Sequence, residues 1–210
     1  MKTPAPSPKK RRTQAERTEN TQRKLILAAI EMLKLKRYEG FRTAEVAEAA
    51  GVSKGAQTHH FPSKESLVLE ALEEVYEQTK NEALARISSA NGDSTKLLYE
   101  LVTDSQQFFL SANFLLTLDL LMVNPQSTLG SSVKELALRY RRPVEESWIN
   151  AFVSAGHDRM KATDVVTLTY SLARGYGVRQ LISDPEENFK EALQSWLPIA
   201  QGLLGIPSAP

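Results

Sequence analysis

Residues 43–61, TAEVAEAAGVSKGAQTHHF, limit the possible folds of this chain more than any other stretch. The segment contains two short helical patterns, and a glycine-containing turn of three residues separates them. Thr43 and Ser53 are residue types that cap helix N-termini, and Gly51 is suited to the left-handed backbone that ends a helix. Pro62 then ends the second helix, because the residue before a proline disfavours helical angles. The stretch therefore predicts a helix-turn-helix.

The rest of the chain is helical by similar reasoning. Apolar residues recur at intervals of three and four, and no segment alternates convincingly as a half-buried strand would. A long first helix begins near Arg17, and we expect Gly40 to end it in the left-handed conformation. Further helices are expected at about 63–87, 94–112, 114–123, 126–156, 161–182 and from about 186. The sequence predicts an all-α fold, with a three-helix N-terminal domain that contains the helix-turn-helix and a larger helical C-terminal domain.

Composition marks the ends of the chain as different from its middle. The first residues, MKTPAPSPKKRR, combine three prolines with four consecutive positive charges, which is typical of an extended, mobile segment. The proline-rich end, IPSAP, is expected to fray. The expected divisions are a disordered basic arm at 1–16, a helix-turn-helix domain at 17–72, a larger helical domain at 73–205 and a frayed C-terminus at 206–210.

Charge is divided unevenly along the chain. Residues 1–65 contain 14 Lys and Arg against 7 Asp and Glu, a net +7, whereas the remainder contains 12 against 18, a net −6. A basic front on an acidic body indicates a polyanionic partner such as nucleic acid. A basic tail that only keeps the protein in solution would give the same count. The KKRR block is equally consistent with a nuclear address, an arm in a DNA groove or an unspecific cationic segment.

Catalytic and metal chemistry find little support in the sequence. The chain has no cysteine, no Gly-rich phosphate loop, no Gly-x-Ser-x-Gly elbow and no zinc-ligand spacing, which disfavours an enzyme. His59 and His60 are adjacent, so on a helix their side chains point about 100° apart and make a poor chelate. The third histidine, His157, is distant in sequence. We therefore predict no metal, no cofactor and no catalytic residue.

The sequence also lacks membrane signals. No apolar run approaches the roughly 20 residues that a membrane span needs, and the N-terminus lacks the apolar block of a secretory signal. The absence of cysteine fits a reducing compartment. We therefore expect a cytoplasmic protein without a membrane partner.

Residues about 17–72 resemble the DNA-binding domain of the tetracycline-repressor (TetR) family of bacterial transcriptional regulators. The matching pieces, AAIEML and YEGFRTAEVAEAAGVSKGAQTHHFPSKESLVLEAL, contain the glycine, phenylalanine, lysine and turn positions in order. The resemblance implies a sequence-specific DNA-binding regulator, expected to be a repressor that a small-molecule ligand releases from its operator. It also implies a homodimer on a palindromic double-stranded operator, in the bacterial cytoplasm and associated with the nucleoid. The alternative is a helical adaptor that binds an acidic protein through its basic face.

The expected DNA contacts lie on the second short helix and its neighbours. Small residues let a helix enter the major groove, and hydrogen-bond donors bind phosphate oxygens. The resemblance implies that Lys64 contacts phosphate and that His59 faces DNA. Thr58 replaces the family's usual tyrosine, and Gln57, which replaces a frequent apolar residue, is expected to read a base edge. The full expected set is Arg42, Thr43, Ser53, Lys54, Gly55, Gln57, Thr58, His59 and Lys64.

Aromatic and polar residues mix along the helices of the larger domain, as they do in cavities that bind small molecules. The resemblance implies that this domain binds the ligand and dimerises. The expected pocket residues are Phe108, Phe109, Asn113, Leu118, Met122, Trp148, Phe152 and Tyr170. The expected dimer contacts are Val165, Leu172, Tyr176, Phe189, Leu193 and Trp196. Packing within one chain would explain the same apolar patterns.

Overall fold

The computed structural model describes residues 13–123, 125–182 and 189–207, which form ten α-helices and no strand. In chain order the helices are α1 (Gln14–Gly40), α2 (Thr43–Ala49), α3 (Lys54–His60), α4 (Lys64–Ala90), α5 (Ser94–Phe109), α6 (Ala112–Val123), α7 (Thr128–Ser154), α8 (Arg159–Arg179), α9 (Phe189–Gln194) and α10 (Leu197–Leu204). The all-α prediction is confirmed. Most of the predicted basic arm, at 1–12, and residues 208–210 of the predicted frayed end lie outside the described residues.

Helix α1 begins at a capping box and breaks before its end. Thr13 and Glu16 bond each other reciprocally through side chain and backbone, which satisfies free amides of the first turn. Near the other end, Arg37 has φ +57° and ψ 176°, so the helical path is interrupted there. Gly40 has no positive φ. The expectation of a left-handed Gly40 is therefore wrong, because the break lies three residues earlier.

Helices α2 and α3 form the predicted helix-turn-helix. Gly51 has φ +64°, a conformation that residues with a side chain rarely adopt. This lets the Val52 N–H donate to the Ala47 carbonyl at 2.9 Å and close the end of α2. Ser53 then caps α3 by accepting from the Ala56 amide. Residues 50–53 therefore connect α2 to α3 in a tight turn.

The start of α2 differs from the prediction. Arg42 occupies the N-cap position, and Thr43 is the first helical residue. The Arg42 side chain makes no capping bond to the amides of α2. The prediction that Thr43 caps this helix is therefore wrong by one position.

Helix α4 packs with the helices of both the N-terminal helix-turn-helix domain and the larger helical domain. It begins at a capping box between Ser63 and Ser66, and it packs against α1 as well as against α5 and α7. Residue 72, the predicted domain boundary, lies inside this unbroken helix. Buried apolar residues from Leu25 in α1 to Ile206 after α10 form one continuous core. A displacement of helices in the larger domain can therefore be transmitted to the helix-turn-helix through packed side chains.

Helices α5 to α10 form the larger part around a sealed interior. Trp148, Phe109 and Phe152 are among its fully buried side chains. Helix α8 approaches the corner between α5 and α6 closely, because a Cβ on Gly177 would lie 2.2 Å from the Phe109 carbonyl oxygen and 2.9 Å from the Phe114 ring. A glycine is therefore required at position 177 for this packing.

None of the helices in the described ranges is by itself long and apolar enough to cross a membrane. Helices α5 and α6 reach the required length and composition only as a pair, which is bent by 55°.

Candidate nucleic-acid interface and ligand cluster

The outer face of α3 consists of four exposed residues, Lys54, Gly55, Thr58 and His59. Their positions differ by one, four and five residues, a spacing that places them on one side of a helix. The face combines an ammonium group, a hydroxyl and an imidazole with one position, Gly55, that has no side chain. The three polar groups are of the kinds that bind phosphates and base edges.

Gln57 lies on the opposite, inner side of α3 and is only 4% exposed. Its Nε2 donates to the Phe61 carbonyl oxygen at 3.0 Å, and the Phe61 amide donates to the Gln57 carbonyl at 2.8 Å. These two bonds close the C-terminal end of α3. The expectation that Gln57 reads a base edge is therefore wrong for this structure, because the burial that satisfies its amide removes it from the outer face.

Gly55 and Thr58 remain on the outer face. A Cβ added to Gly55 would meet no atom within 4 Å, so nothing in the described chain requires a glycine there. A helical position without a side chain is suited to close approach by another molecule. The Thr58 hydroxyl donates to the Lys54 carbonyl at 3.0 Å, which uses its proton within the helix and leaves its lone pairs as acceptors.

The remaining predicted contacts surround α3. Arg42 is exposed, and its Nη1 donates to the carbonyls of Glu39 at 2.6 Å and Phe41 at 3.0 Å. Ser53 is exposed and Thr43 half-buried. Of the predicted DNA contacts, Gln57 alone is buried, and the others are exposed or half-buried.

Lys64, the predicted phosphate contact, is held against the end of α1. Its Nζ donates to the Tyr38 carbonyl oxygen at 2.7 Å and lies 3.8 Å from the centre of the Tyr38 ring. Burial, and after it the charge of Arg42, lowers the pKa of Lys64. The lysine therefore ties α4 to α1, and a phosphate contact would use its remaining N–H donors.

The histidine pair divides into one surface residue and one partly packed residue. The rings of His59 and His60 meet edge to face with centroids 5.6 Å apart, and the His60 ring lies 6.4 Å from that of Phe61. His59 is exposed, whereas His60 is half-buried. No group of three or more potential metal-binding side chains occurs in the part of the chain that the structure describes.

A charged cluster surrounded by aromatic rings lies in the larger part, where α5, α7 and α8 meet. The Arg141 guanidinium carbon is 4.7 Å from the centre of the Phe109 ring, 4.9 Å from Tyr170 and 5.4 Å from Phe108. Partly desolvated contacts of this kind contribute about 1 kcal/mol each. Arg141 also donates to Glu145 at 3.2 Å. We call Arg141, Asp104 and these three rings the Arg141 cluster.

Asp104 supplies the titrating group of this cluster. The Tyr170 hydroxyl donates to its Oδ2 at 2.9 Å. Burial raises the pKa of Asp104 to about 6, although the Tyr170 hydrogen bond and the charges of Arg86 and Arg141 act in the opposite direction. Burial also raises the pKa of Tyr170, and the charge of Asp104 adds to this effect. The charge of the cluster therefore changes near pH 6.

A cavity of about 30 Å³ adjoins the Arg141 cluster, which is room for about one water molecule. Its lining residues are Tyr76, Thr79, Lys80, Asp104, Phe108, Tyr140, Arg141 and Val144. A ligand larger than water would have to displace some of these side chains.

The predicted pocket residues do not form one site. The structure places Phe108, Phe109 and Tyr170 at the Arg141 cluster, Trp148 and Phe152 in the sealed core, and Asn113, Leu118 and the exposed Met122 on α6. Trp148 and Phe152 are fully buried, as is Phe109, and Trp148 lies beside Asp104 of the Arg141 cluster. The predicted set is therefore divided between the cluster, the core next to it and α6.

Sequence reasoning missed the charged members of the Arg141 cluster. Arg141 stands in the run RYRRPVEES, where adjacent charges are typical of a solvated helix face. Asp104 stands in LVTDSQQ, beside other polar residues. Neither run distinguishes an inward charge from an outward one without knowledge of the neighbouring helices.

Most of the predicted dimer contacts pack inside a single chain. Val165 and Leu193 are fully buried, and the Trp196 Nε1 donates to the Thr169 hydroxyl at 2.7 Å. Tyr176 is half-buried, and the side chain of Phe189 lies outside the described structure. These placements show that the apolar pattern of the last helices is mainly a core pattern.

Helices α8 and α10 nevertheless expose an apolar surface. Leu168 and Leu172 lie four residues apart on α8, and Ile199 and Leu203 lie four apart on α10, all of them exposed. The two helices contact each other. We call these four side chains the α8–α10 face; of the predicted dimer contacts, Leu172 belongs to it.

Comparison with known proteins agrees with this architecture. The family profile described as bacterial regulatory proteins, tetR family, matches residues 25–71. The HTH-type transcriptional regulator CymR of Pseudomonas putida is 39% identical over 193 residues, which cover 91% of this chain and 95% of that protein.

Two solved structures share the fold. Reduced NemR of E. coli is 20% identical with a TM-score of 0.66, and the match covers 90% of this chain and 100% of that one. FadR of Bacillus subtilis, in complex with stearoyl-CoA, is 16% identical with a TM-score of 0.61, over 89% of this chain and 99% of that one.

Proposed function

The chain belongs to the TetR family of bacterial regulatory proteins, and from this premise we propose that it is a homodimeric repressor that a small-molecule ligand releases from its operator. As a family member, it is a DNA-binding transcriptional regulator with a helix-turn-helix. The observation that carries the proposal is the outer face of α3, which is polar and exposed while the inner face is packed. We further propose that it acts in the bacterial cytoplasm on nucleoid DNA.

The outer face of α3 is proposed to enter the major groove. Gly55 permits close approach of the backbone, and Thr58 and His59 project toward base edges or the sugar-phosphate backbone. Lys54, Ser53 and residues at the start of α2 fix the orientation through phosphate contacts, which add affinity without sequence information. Gln57 supports this helix from inside.

Dimerisation is proposed to use the α8–α10 face. Exposed leucine and isoleucine side chains at a spacing of four on two contacting helices would bury one another in an isologous pair of copies. A dimer also explains how a seven-residue reading helix can be specific. Two copies about 34 Å apart reach successive major grooves on one side of the duplex, so the operator is expected to be palindromic.

The ligand is proposed to bind at the Arg141 cluster. The B. subtilis FadR structure contains stearoyl-CoA, so a protein of this fold accommodates a small molecule. In this chain the Arg141 cluster combines aromatic surface with charged groups beside a small cavity. Such a mixture both buries apolar ligand surface and orients polar groups.

Release from DNA requires that the ligand prefers one arrangement of the two reading helices. A ligand that binds both arrangements equally well shifts neither. The unbroken helix α4 and the continuous core connect the Arg141 cluster to the helix-turn-helix, so a side-chain displacement at the cluster has a packed route to the reading helix.

An operator-binding titration tests the proposal. Duplexes are first selected from a random library by the wild-type protein, and affinity is then compared with a scrambled duplex of equal length and composition at two salt concentrations. We expect preference for the selected duplex at both, with weaker total binding at the higher salt because counterion release contributes less. Equal affinity for both duplexes at either salt would refute specific regulation and favour the protein-adaptor alternative.

A further inference from the structure

Arg37 has a backbone conformation that glycine adopts almost exclusively. Its φ of +57° and ψ of 176° interrupt α1 three residues before the end of the helix. A residue with a Cβ keeps such angles only where surrounding contacts enforce them. The position also matters, because the segment that follows leads directly into the helix-turn-helix.

Contacts from α6 hold this break. The Tyr38 N–H donates to the Oδ2 of Asp119 at 2.9 Å, and Arg37 Nη1 donates to the Leu115 carbonyl at 3.4 Å. The first bond is the shorter and is made to a carboxylate, so it is the stronger of the two. Asp119 therefore caps the last turn of α1 from another helix, as an N-cap residue would from its own.

Contacts from α4 hold Tyr38 on its other sides. Lys64 donates to the Tyr38 carbonyl at 2.7 Å, and the Tyr38 hydroxyl donates to Glu65 at 3.3 Å. Tyr38 thus bonds α6 through its N–H and α4 through its carbonyl and side chain. We call Arg37, Tyr38, Lys64 and Asp119 the Tyr38 joint.

Helix α6 connects this joint with the Arg141 cluster. Five residues before Asp119, the Phe114 ring packs against Phe109 and Phe108, with centroids 5.2 Å and 6.1 Å apart. Those two rings also contact Arg141. Only one layer of aromatic rings and little more than one turn of α6 therefore lie between Arg141 and Asp119. A displacement of Arg141 has a short packed route to Asp119.

We propose that Asp119 is a positioning residue for DNA binding, which holds the break at Arg37 and thereby sets the orientation of the helix-turn-helix relative to the larger domain. Without the carboxylate, the Tyr38 N–H loses its partner and Arg37 returns to helical angles. Helix α1 then continues in a straighter path, and α2 and α3 move relative to α6. The orientation of α3 is thus determined outside the reading domain.

A mutant cycle separates positioning from a plain loss of stability. Asp119→Ala removes the acceptor, and Arg37→Gly removes the unfavourable backbone energy that the acceptor opposes. We expect Asp119→Ala to weaken binding to a duplex selected by the wild-type protein about tenfold, and to weaken it less than about twofold in the Arg37→Gly background. Arg37→Ala is the matched control, because it also deletes the bond to Leu115 but keeps the Cβ, and it should not rescue.

A distance measurement tests the joint without DNA. The chain has no native cysteine, so Glu48→Cys on α2 and Glu135→Cys on α7, both exposed, give one spin-label pair within a protomer when diluted with unlabelled chain. Asp119→Ala should shift or broaden the distance distribution, and adding Arg37→Gly should restore it.

The contradicting result is an equal loss of affinity in both backgrounds together with an unchanged distance, which would assign Asp119 a merely stabilising role. Asp119→Asn keeps an acceptor oxygen without the charge and should give an intermediate loss, so the proposal stays testable if Asp119→Ala fails to fold. Because the inference rests on DNA binding by α3, failure of the wild-type protein to select any duplex would reject that function. The distance measurement would still decide the role of the joint.

Discussion

At the residue scale, the two sides of α3 have different tasks although both contain polar residues. Gln57 and Phe61 lie on the inner side and close the helix by mutual hydrogen bonds. Gly55 and Thr58 lie on the outer side. Polarity alone therefore does not identify a DNA-reading residue, because an interior amide with satisfied hydrogen bonds is compatible with the core.

Gly55→Ala is expected to change the stability of the protein and its affinity for DNA in opposite directions. Alanine has a higher helix propensity than glycine, and the added Cβ meets nothing within 4 Å, so the free energy of unfolding should rise by about 0.5–1 kcal/mol. If DNA approaches this position closely, affinity for the selected duplex should fall in the same protein. Thermal unfolding and an operator titration measure the two effects, and unchanged affinity would remove Gly55 from the interface.

Gln57→Ala and Thr58→Ala form a matched pair for base preference. Gln57→Ala leaves a cavity and an unpaired Phe61 carbonyl, so it should lower the free energy of unfolding by about 1–3 kcal/mol without changing the preferred bases. Thr58→Ala should leave stability within about 0.5 kcal/mol and change base preference. Binding-site selection with each variant measures this. A changed motif for Gln57→Ala with wild-type stability would reverse the assignment.

The inner position of Gln57 was partly predictable. Gln57 precedes Phe61 by four residues, which places both on one side of the helix. The buried phenylalanine therefore marks the buried side. The conformation of Arg37 was not predictable in this way. The Asp119 carboxylate that holds it lies 81 residues beyond its hydrogen-bond donor, Tyr38, and only the folded structure brings the two together.

At the element scale, helix existence and helix packing differ in how far the sequence determines them. The 3.6-residue apolar period and the Ser53 and Ser63 caps place helices correctly, because both signals are local. The Arg141 cluster joins three helices, with Asp104, Arg141 and Tyr170 contributed by α5, α7 and α8. The local sequence around each of these residues does not predict the other two as its neighbours. The cluster could therefore be identified only from the folded structure.

Asp104→Asn tests the electrostatics of this cluster. The pKa of Asp104 is about 6 in the folded protein, against 3.8 for an aspartate side chain exposed to water. The folded state therefore holds the proton more tightly, so the contribution of this group to stability is fully present below about pH 4 and is lost as the pH rises through 6. Asparagine avoids the buried charge and still accepts from Tyr170.

The variant should accordingly exceed the wild type in free energy of unfolding by about 3 kcal/mol at pH 7.5, and the difference should disappear near pH 4. Thermal unfolding across this pH range measures it. Asp164→Asn, at an exposed carboxyl group on α8, is the control and should show no such pH dependence. An advantage that is constant with pH would show that Asp104 does not titrate as described.

At the scale of the whole molecule, the proposed dimer contact uses apolar surface that remains exposed after folding. Val165, Leu193 and Trp196 were predicted to meet a second subunit, yet they are buried in their own chain. The apolar pattern of the sequence does not show which residues lie in the core and which lie at an interface, because both environments favour the same side chains. The exposed α8–α10 face is one part of the apolar surface that is left after the core is complete, and it is the part proposed to dimerise.

Leu172→Glu combined with Ile199→Glu tests this face. The two side chains are 38% and 59% exposed, so the substitutions should leave the monomer folded while they introduce charge repulsion between two copies. We expect a monomer in sedimentation equilibrium and at least a hundredfold weaker operator binding, because specific affinity needs both reading helices. Leu84→Glu, at a comparably exposed leucine on α4, is the control and should remain dimeric. A dimer that survives the double substitution would place the interface elsewhere.

The most direct test of sequence-specific regulation by a dimer is selection of binding sites from random duplex DNA by the full chain, followed by sequencing. We expect a palindromic motif with two half-sites whose centres are about one helical turn, or a multiple of it, apart. Enriched duplexes without a shared motif would contradict sequence-specific regulation by this protein, since binding would then depend on charge alone.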